Sequence, residues 1–302
     1  MVGDLYAKLR ISENLAATAD RQELHSPFTN GNDGRMTPNT FEAYDAIGEL
    51  PLEGGATLKL GGGWVTKIKE RDSEHFVSMA EDAGVDVNRG VAVAGALYKD
   101  QKVSLGGVYY FCPDVLSIGY AEAKYARDLP AGFAALVAAQ LIDQRSNGAD
   151  LLTGDSFAGN QVAVRLDASH SGVVATLAYS NTTRGTNMRN PWSSYPGYTA
   201  VQVEFFDRAG EQATMLKVSY NFAAARMPGL TTYALWTHGW GVRPNEGPNY
   251  DEYDLDLQWR PVFPVLKGFS FRARFAMVNE RGGTRSTLDD YRLIVNYDFA
   301  AL

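Results

Sequence analysis

Residues 269–277 read Phe-Ser-Phe-Arg-Ala-Arg-Phe-Ala-Met, with Phe269, Phe271, Ala273, Phe275 and Met277 on one parity and Ser270, Arg272, Arg274 and Ala276 on the other. Side chains of a β-strand alternate between two faces, so this segment folds with a wholly apolar face backed by one that carries fixed charge. Its two neighbours repeat the arrangement. Tyr253, Leu255, Leu257 and Trp259 alternate with Asp254, Asp256, Gln258 and Arg260. Tyr291, Leu293, Val295, Tyr297 and Phe299 alternate with Asp290, Arg292, Ile294, Asn296 and Asp298. A period of two, punctuated by Gly, Asn, Asp and Pro, argues against a helical enzyme and for an all-β sandwich, propeller or barrel.

The large aromatics separate these architectures. Tyr253 and Trp259 bracket one apolar parity, and Tyr291 and Phe299 bracket another. A soluble sandwich would use the same alternation with the apolar face as its core. Aromatics at both ends of an apolar band are instead the girdles of a lipid-facing surface. The fold expected is therefore an all-β, antiparallel transmembrane β-barrel.

Other classes fall on simple chemistry. A net charge of −7 and the lack of a basic run speak against a nucleic-acid partner. Cys112 is alone, which excludes an intrachain disulfide, and it reads as a small apolar filler. His25, His75, His170 and His238 lack the spacing of a metal site and read as ordinary exposed residues near turns. Gly154-Asp155-Ser156-Phe157-Ala158-Gly159 misplaces the second glycine of a hydrolase nucleophile turn, so it reads as a loop. No catalytic residue, metal or cofactor is expected. No apolar run is long enough for a membrane helix, and residues 1–10 carry no secretion signal. A barrel needs no such helix, but it does need export, so a processed or truncated chain is expected.

Alternation continues upstream through residues 229–239, 214–222, 173–179, 162–168, 133–141, 103–111, 91–97 and 56–64. At the start, Leu5, Ala7, Leu9 and Ile11 oppose Tyr6, Lys8, Arg10 and Ser12. Weaker strands are expected over 114–125, 41–47 and 15–21. Bacterial barrels have short periplasmic turns and long outer loops. Counting back from Leu302, the connections 279–287, 239–249, 181–211, 144–158, 112–114, 69–89 and 22–40 fall on the outer side. Counting 198–206 as a spanning strand would invert every loop upstream, so it is placed inside one long connection. About fifteen strands result, an odd number where single-chain bacterial barrels are even.

Several segments resemble the OprD family of porins in family order. They are Arg21-Gln22-Glu23-Leu24, Asn30, Asn32-Asp33-Gly34-Arg35-Met36-Thr37-Pro38-Asn39-Thr40-Phe41, Gly119-Tyr120 with Glu122 and Tyr125, Pro191-Trp192, Pro196-Gly197-Tyr198-Thr199, Arg208-Ala209-Gly210-Glu211, Leu266-Lys267-Gly268, Arg272-Ala273-Arg274, and Arg292-Leu293-Ile294-Val295-Asn296-Tyr297. One departure is Asp20, where the family usually has glycine before the Arg-Gln pair. The resemblance implies an outer-membrane channel of about eighteen strands. Inward-folded loops would narrow it, and a ladder of basic side chains would guide carboxylates. Residues 1–302 would then be a single barrel domain that lacks its N-terminal strands. Its partners would be outer-membrane lipid, small carboxylate solutes and the barrel-assembly machinery, and the chain would be a monomer or weak trimer.

Lys8, Arg10, Arg165, Arg272, Arg274 and Arg292 all fall on polar parities opposite apolar faces. In a barrel they point into the lumen, where a guanidinium binds carboxylate with two parallel hydrogen bonds and stays charged at any working pH. Asp254 and Asp256 are expected as an opposing acidic wall that sets up a transverse field. Asp33 and Arg35 are expected in a constriction loop within 22–40. A hydrolytic barrel and a nonconducting structural or binding barrel remain the alternatives.

Overall fold

The structure is a computed structural model that describes residues 4–32, 37–281 and 287–298. Its strands are β1 (Leu5–Ser12), β2 (Leu15–Gln22), β3 (Thr40–Pro51), β4 (Thr57–Lys69), β5 (Val77–Ser78), β6 (Val91–Lys99), β7 (Val103–Cys112) and β8 (Leu116–Asp128). They continue as β9 (Ala134–Arg145), β10 (Ala158–His170), β11 (Val173–Thr182), β12 (Gln212–Asn221), β13 (Leu230–Trp240), β14 (Asn249–Trp259), β15 (Phe269–Arg281) and β16 (Thr287–Tyr297). One short helix, α1 (Met79–Asp82), starts on a capping box formed by Ser78 and Glu81. No helix among the described residues is long and apolar enough to cross a membrane, which leaves a barrel untouched.

The strands form one sheet in chain order, and the two-residue β5 pairs with β4 off that path. The path without β5 matches the strand count expected from alternation. Residues 183–211 contain no strand, so 198–206 belongs to a long connection, as the loop alternation required. Long connections follow β2, β4, β9 and β11 and short turns follow β1, β3, β6, β8 and β10, whereas the connection after β7 is short and those after β12, β13 and β14 are of similar length.

By their contacts the residues form two units. The second comprises Ala126–Ala138, Ala163–Arg184 and Gly197–Leu302. Here Asp256 lies opposite Arg274 and Arg274 opposite Arg292, while Leu255 lies opposite Phe275 and Phe275 opposite Tyr291. The charged and apolar parities therefore occupy opposite faces, as the alternation dictates. Phe299 lies outside the described residues.

Exposure on these faces is inverted relative to a soluble sandwich. Leu255 is 53% exposed and Leu293 87%, whereas Asp254 and Asp256 are each 4% exposed. A soluble sheet buries its apolar face. This one shows leucine and valine outward along β12, β14 and β16 while covering its carboxylates. An apolar surface this continuous needs an apolar medium against it.

The first unit comprises Met1–Tyr125, Ala139–Val162 and Gly185–Pro196. Its largest fully buried side chains include Trp192 and Phe28 from connections, Met79 from α1, and Tyr110, Ile118 and Ile142 from strands. The core of this unit thus lies between inserted connections and the sheet. Phe28 packs edge-on against Tyr110 and Tyr195, its amide donates to the Tyr110 hydroxyl at 3.1 Å, and the Trp192 indole donates to the Met79 carbonyl at 2.8 Å. The described part of the 22–40 connection is therefore folded onto the sheet.

Asp20 adopts φ +87°, a region that favours glycine. That conformation accounts physically for the glycine expected before the Arg-Gln pair. Cys112 is buried and free, consistent with a filler role.

Candidate functional site

In the second unit a strip of charge crosses β10 to β16 on the covered face. Tyr233 of β13 stands opposite Asp256, which stands opposite Arg274, which stands opposite Arg292. Antiparallel pairs directly opposite one another bring their side chains to within contact, so this register fixes the geometry. Asp256 Oδ2 accepts from Arg272 Nε at 2.8 Å and lies 2.9 Å from Arg274 Nε. Arg274 Nη2 donates to the Tyr233 hydroxyl at 3.2 Å. Arg292 pairs with Asp290 at 2.5 Å, and Arg165 with Asp167 at 2.5 Å, each two residues along its own strand. Thr176 donates to Asp167 at 2.8 Å. Lys217 Nζ lies 4.3 Å from the centroid of the Tyr233 ring.

Asp254 and Asp256, expected as an opposing acidic wall, stand on β14 beside the arginines of β15. Asp256 pairs with both Arg272 and Arg274 of the adjacent strand, because β14 pairs directly with β15. Asp254 has a different task. Its Oδ2 accepts the Gln202 amide at 3.1 Å, while the two oxygens of Glu252 accept the amides of Val203 and Glu204 at 2.8 and 2.7 Å. Two strand carboxylates thus hold three consecutive amides of the long connection against the strip. Arg292 adds a 3.4 Å bond to the Gln202 carbonyl, and the ring of Tyr198 lies 5.7 Å from the Arg165 guanidinium.

Further along this connection Arg208 bonds both oxygens of the fully buried Glu211, at 3.1 and 2.5 Å, and covers Tyr250 at 4.5 Å. Asp207 is pushed up to about 7 by burial and then by the charge of Glu211, against the pull of Arg208. Glu204 is raised mainly by burial as well. The connection therefore carries its own acidic cluster beside the strip.

In the first unit Lys8 and Arg10 are exposed on β1, in line with Thr18 and Asp45 and with Ala16 and Ile47 respectively. The same face carries Lys59 and a recess of about 350 Å³ floored by Gly61, Gly63, Gly95 and Gly106. Gln144 and Gln140 of β9 hold the long connection here, through Arg189 and the Pro196 carbonyl at 2.6 to 2.9 Å. Asp33 and Arg35 lie outside the described residues.

His25, His75 and His170 are exposed. His238 is not the ordinary exposed residue expected. It is part of β13, stacks between Trp236 and Trp240, and meets Asp251 at 2.7 Å. The missed residues are Lys217, Tyr233, Asp167, Asp290 and Glu252. Their signal was available only in part: Asp167 and Asp290 share parity with Arg165 and Arg292, whereas Lys217 and Tyr233 meet only through strand register.

No curated protein matches the chain. Among solved structures it resembles OccK9 (OpdG) of Pseudomonas aeruginosa, with 23% identity and TM-score 0.84 over 96% of this chain and 74% of that one. It also resembles OpdK of Pseudomonas aeruginosa, solved with vanillate, at 19% identity and TM-score 0.84 over 97% and 77% of the two chains. A BenF-like porin from Pseudomonas fluorescens matches at 18% identity and TM-score 0.83, over 97% and 76%. These likenesses give the fold, an antiparallel β-barrel. The OprD family of outer membrane porins matches residues 2–301, and the chain belongs to that family, as an antiparallel β-barrel of the bacterial outer membrane.

Proposed function

We propose that the protein is a passive channel, not an enzyme, that favours small carboxylate-bearing solutes. The observation that carries this reading is the strip of Arg165, Lys217, Arg272, Arg274 and Arg292 on one covered face, with the long connection held against it. Guanidinium and ammonium groups attract carboxylate, and several weak sites in sequence allow passage where one strong site would trap the solute. The solved relative OpdK carries vanillate, an aromatic acid, which is in keeping with such a solute.

Single-channel recording in planar bilayers under a sodium acetate gradient tests the reading. The reversal potential is expected to take the sign of anion preference. A reversal potential of the opposite sign contradicts it.

A further inference from the structure

We propose that carboxylate docking on the strip is concentrated at Lys217, with the Tyr233 hydroxyl as its second donor. This rests on the channel reading above and deepens it by naming the residue that sets specificity. The arginines around it act chiefly as positioning groups rather than as equal stations.

The reason lies in who already holds each cation. Asp167 occupies Arg165, Asp290 occupies Arg292, and Asp256 occupies both Arg272 and Arg274. A carboxylate held in the fold, two residues along the strand or on the neighbouring strand, competes as an intramolecular ligand at an effective concentration on the order of millimolar or more. A free solute meets that competitor at every one of these guanidinium groups. Among the described residues no ion pair joins Lys217 to a carboxylate; its ammonium rests over the Tyr233 ring instead. A cation–π contact occupies one side of the ammonium and leaves hydrogens on the other side available to an acceptor.

Tyr233 completes the site. Its hydroxyl oxygen accepts from Arg274, which leaves its own hydrogen for an incoming oxygen. Lys217 stands opposite Thr176, whose hydroxyl bonds Asp167, and it feels the charges of Arg165, Asp256, Asp167 and Arg272. It therefore lies between two internally paired clusters as a cation of the strip that no carboxylate holds in an ion pair among the described residues.

The test is saturable uptake of gluconate by proteoliposomes of the full chain, with sorbitol as the neutral solute of similar size. K217Q is expected to raise the apparent KM for gluconate roughly tenfold, the loss of one charge-assisted bond, with sorbitol uptake unchanged. K217R should recover most of the affinity, and Y233F, which keeps the ring, should raise KM about threefold. The paired change R165Q/D167N, which removes an ion pair without changing net charge, should raise KM by no more than about twofold. If K217Q leaves KM unchanged while R165Q/D167N raises it, the arginines are the stations and the Lys217 inference fails with the channel reading intact. Equal loss of gluconate and sorbitol uptake in K217Q also overturns it, in favour of a structural role. Wild-type uptake of gluconate no faster than sorbitol removes the channel reading itself.

Discussion

Asp256 and Arg274 face each other across β14 and β15 with 2.9 Å between Oδ2 and Nε, and the same oxygen takes Arg272. Replacing Asp256 by Asn should release two guanidinium groups on the covered face. The expected outcome is a reversal potential moved further toward anions, with a stability loss of about 1 to 3 kcal/mol from the unpaired donors. An unmoved reversal potential would show that Asp256 does not screen these arginines.

Glu252 should act as a latch for the long connection, since its two oxygens take the amides of Val203 and Glu204. E252Q keeps the shape but replaces one acceptor oxygen by an amide nitrogen that can only donate, so one of the two bonds is lost, at a cost of about 1 to 3 kcal/mol. Hydrogen exchange at those two amides is expected to accelerate by at least an order of magnitude while strand amides stay protected. Unchanged exchange there would remove the latch.

Asp207 gives the connection a pH dependence whose sign is fixed. Its carboxyl is raised from 3.8 to about 7, so the folded loop prefers the protonated form. The stabilisation is fully present below the unfolded value and is lost as pH rises toward 7, on the order of 1 kcal/mol per pH unit across that window. Protease resistance of residues 197–211 should therefore fall as pH rises to about 7 in the wild type and level off above it. In D207N it should stay level, and a parallel fall in both proteins would place the cause elsewhere.

Much of this fold was legible in the chain. The alternation of β14 to β16 assigned both faces, and loop parity excluded 198–206 as a strand, because period two and turn length are local properties. The aromatic brackets pointed to lipid, and the exposure of Leu255 and Leu293 over buried Asp254 and Asp256 agrees. What stayed hidden was register and long-range return. Asp256 could be matched to Arg272 and Arg274 only once the turn at 260–268 set the pairing. Trp192 and Phe28 form a core from segments with no periodicity, so nothing in their spacing announced it. Lys217 sits alone among apolar neighbours and gained meaning only beside Tyr233.

Asp20 supplies a backbone test. At φ +87° an L side chain is strained and glycine is not. D20G should exceed D20A in stability by about 1 kcal/mol in detergent-based unfolding, although alanine is the better residue at ordinary strand angles. A D20A variant equal to or more stable than D20G would refute the assigned conformation.

Fixed cations on the covered face are proposed to favour carboxylates, and the ratio of gluconate to sorbitol uptake in proteoliposomes reads that preference. The ratio is expected to exceed one at low ionic strength and to fall toward one as salt shortens the screening length to about 10 Å at 0.1 M and less above it. A ratio of one at every salt concentration, with both solutes passing freely, would contradict the account.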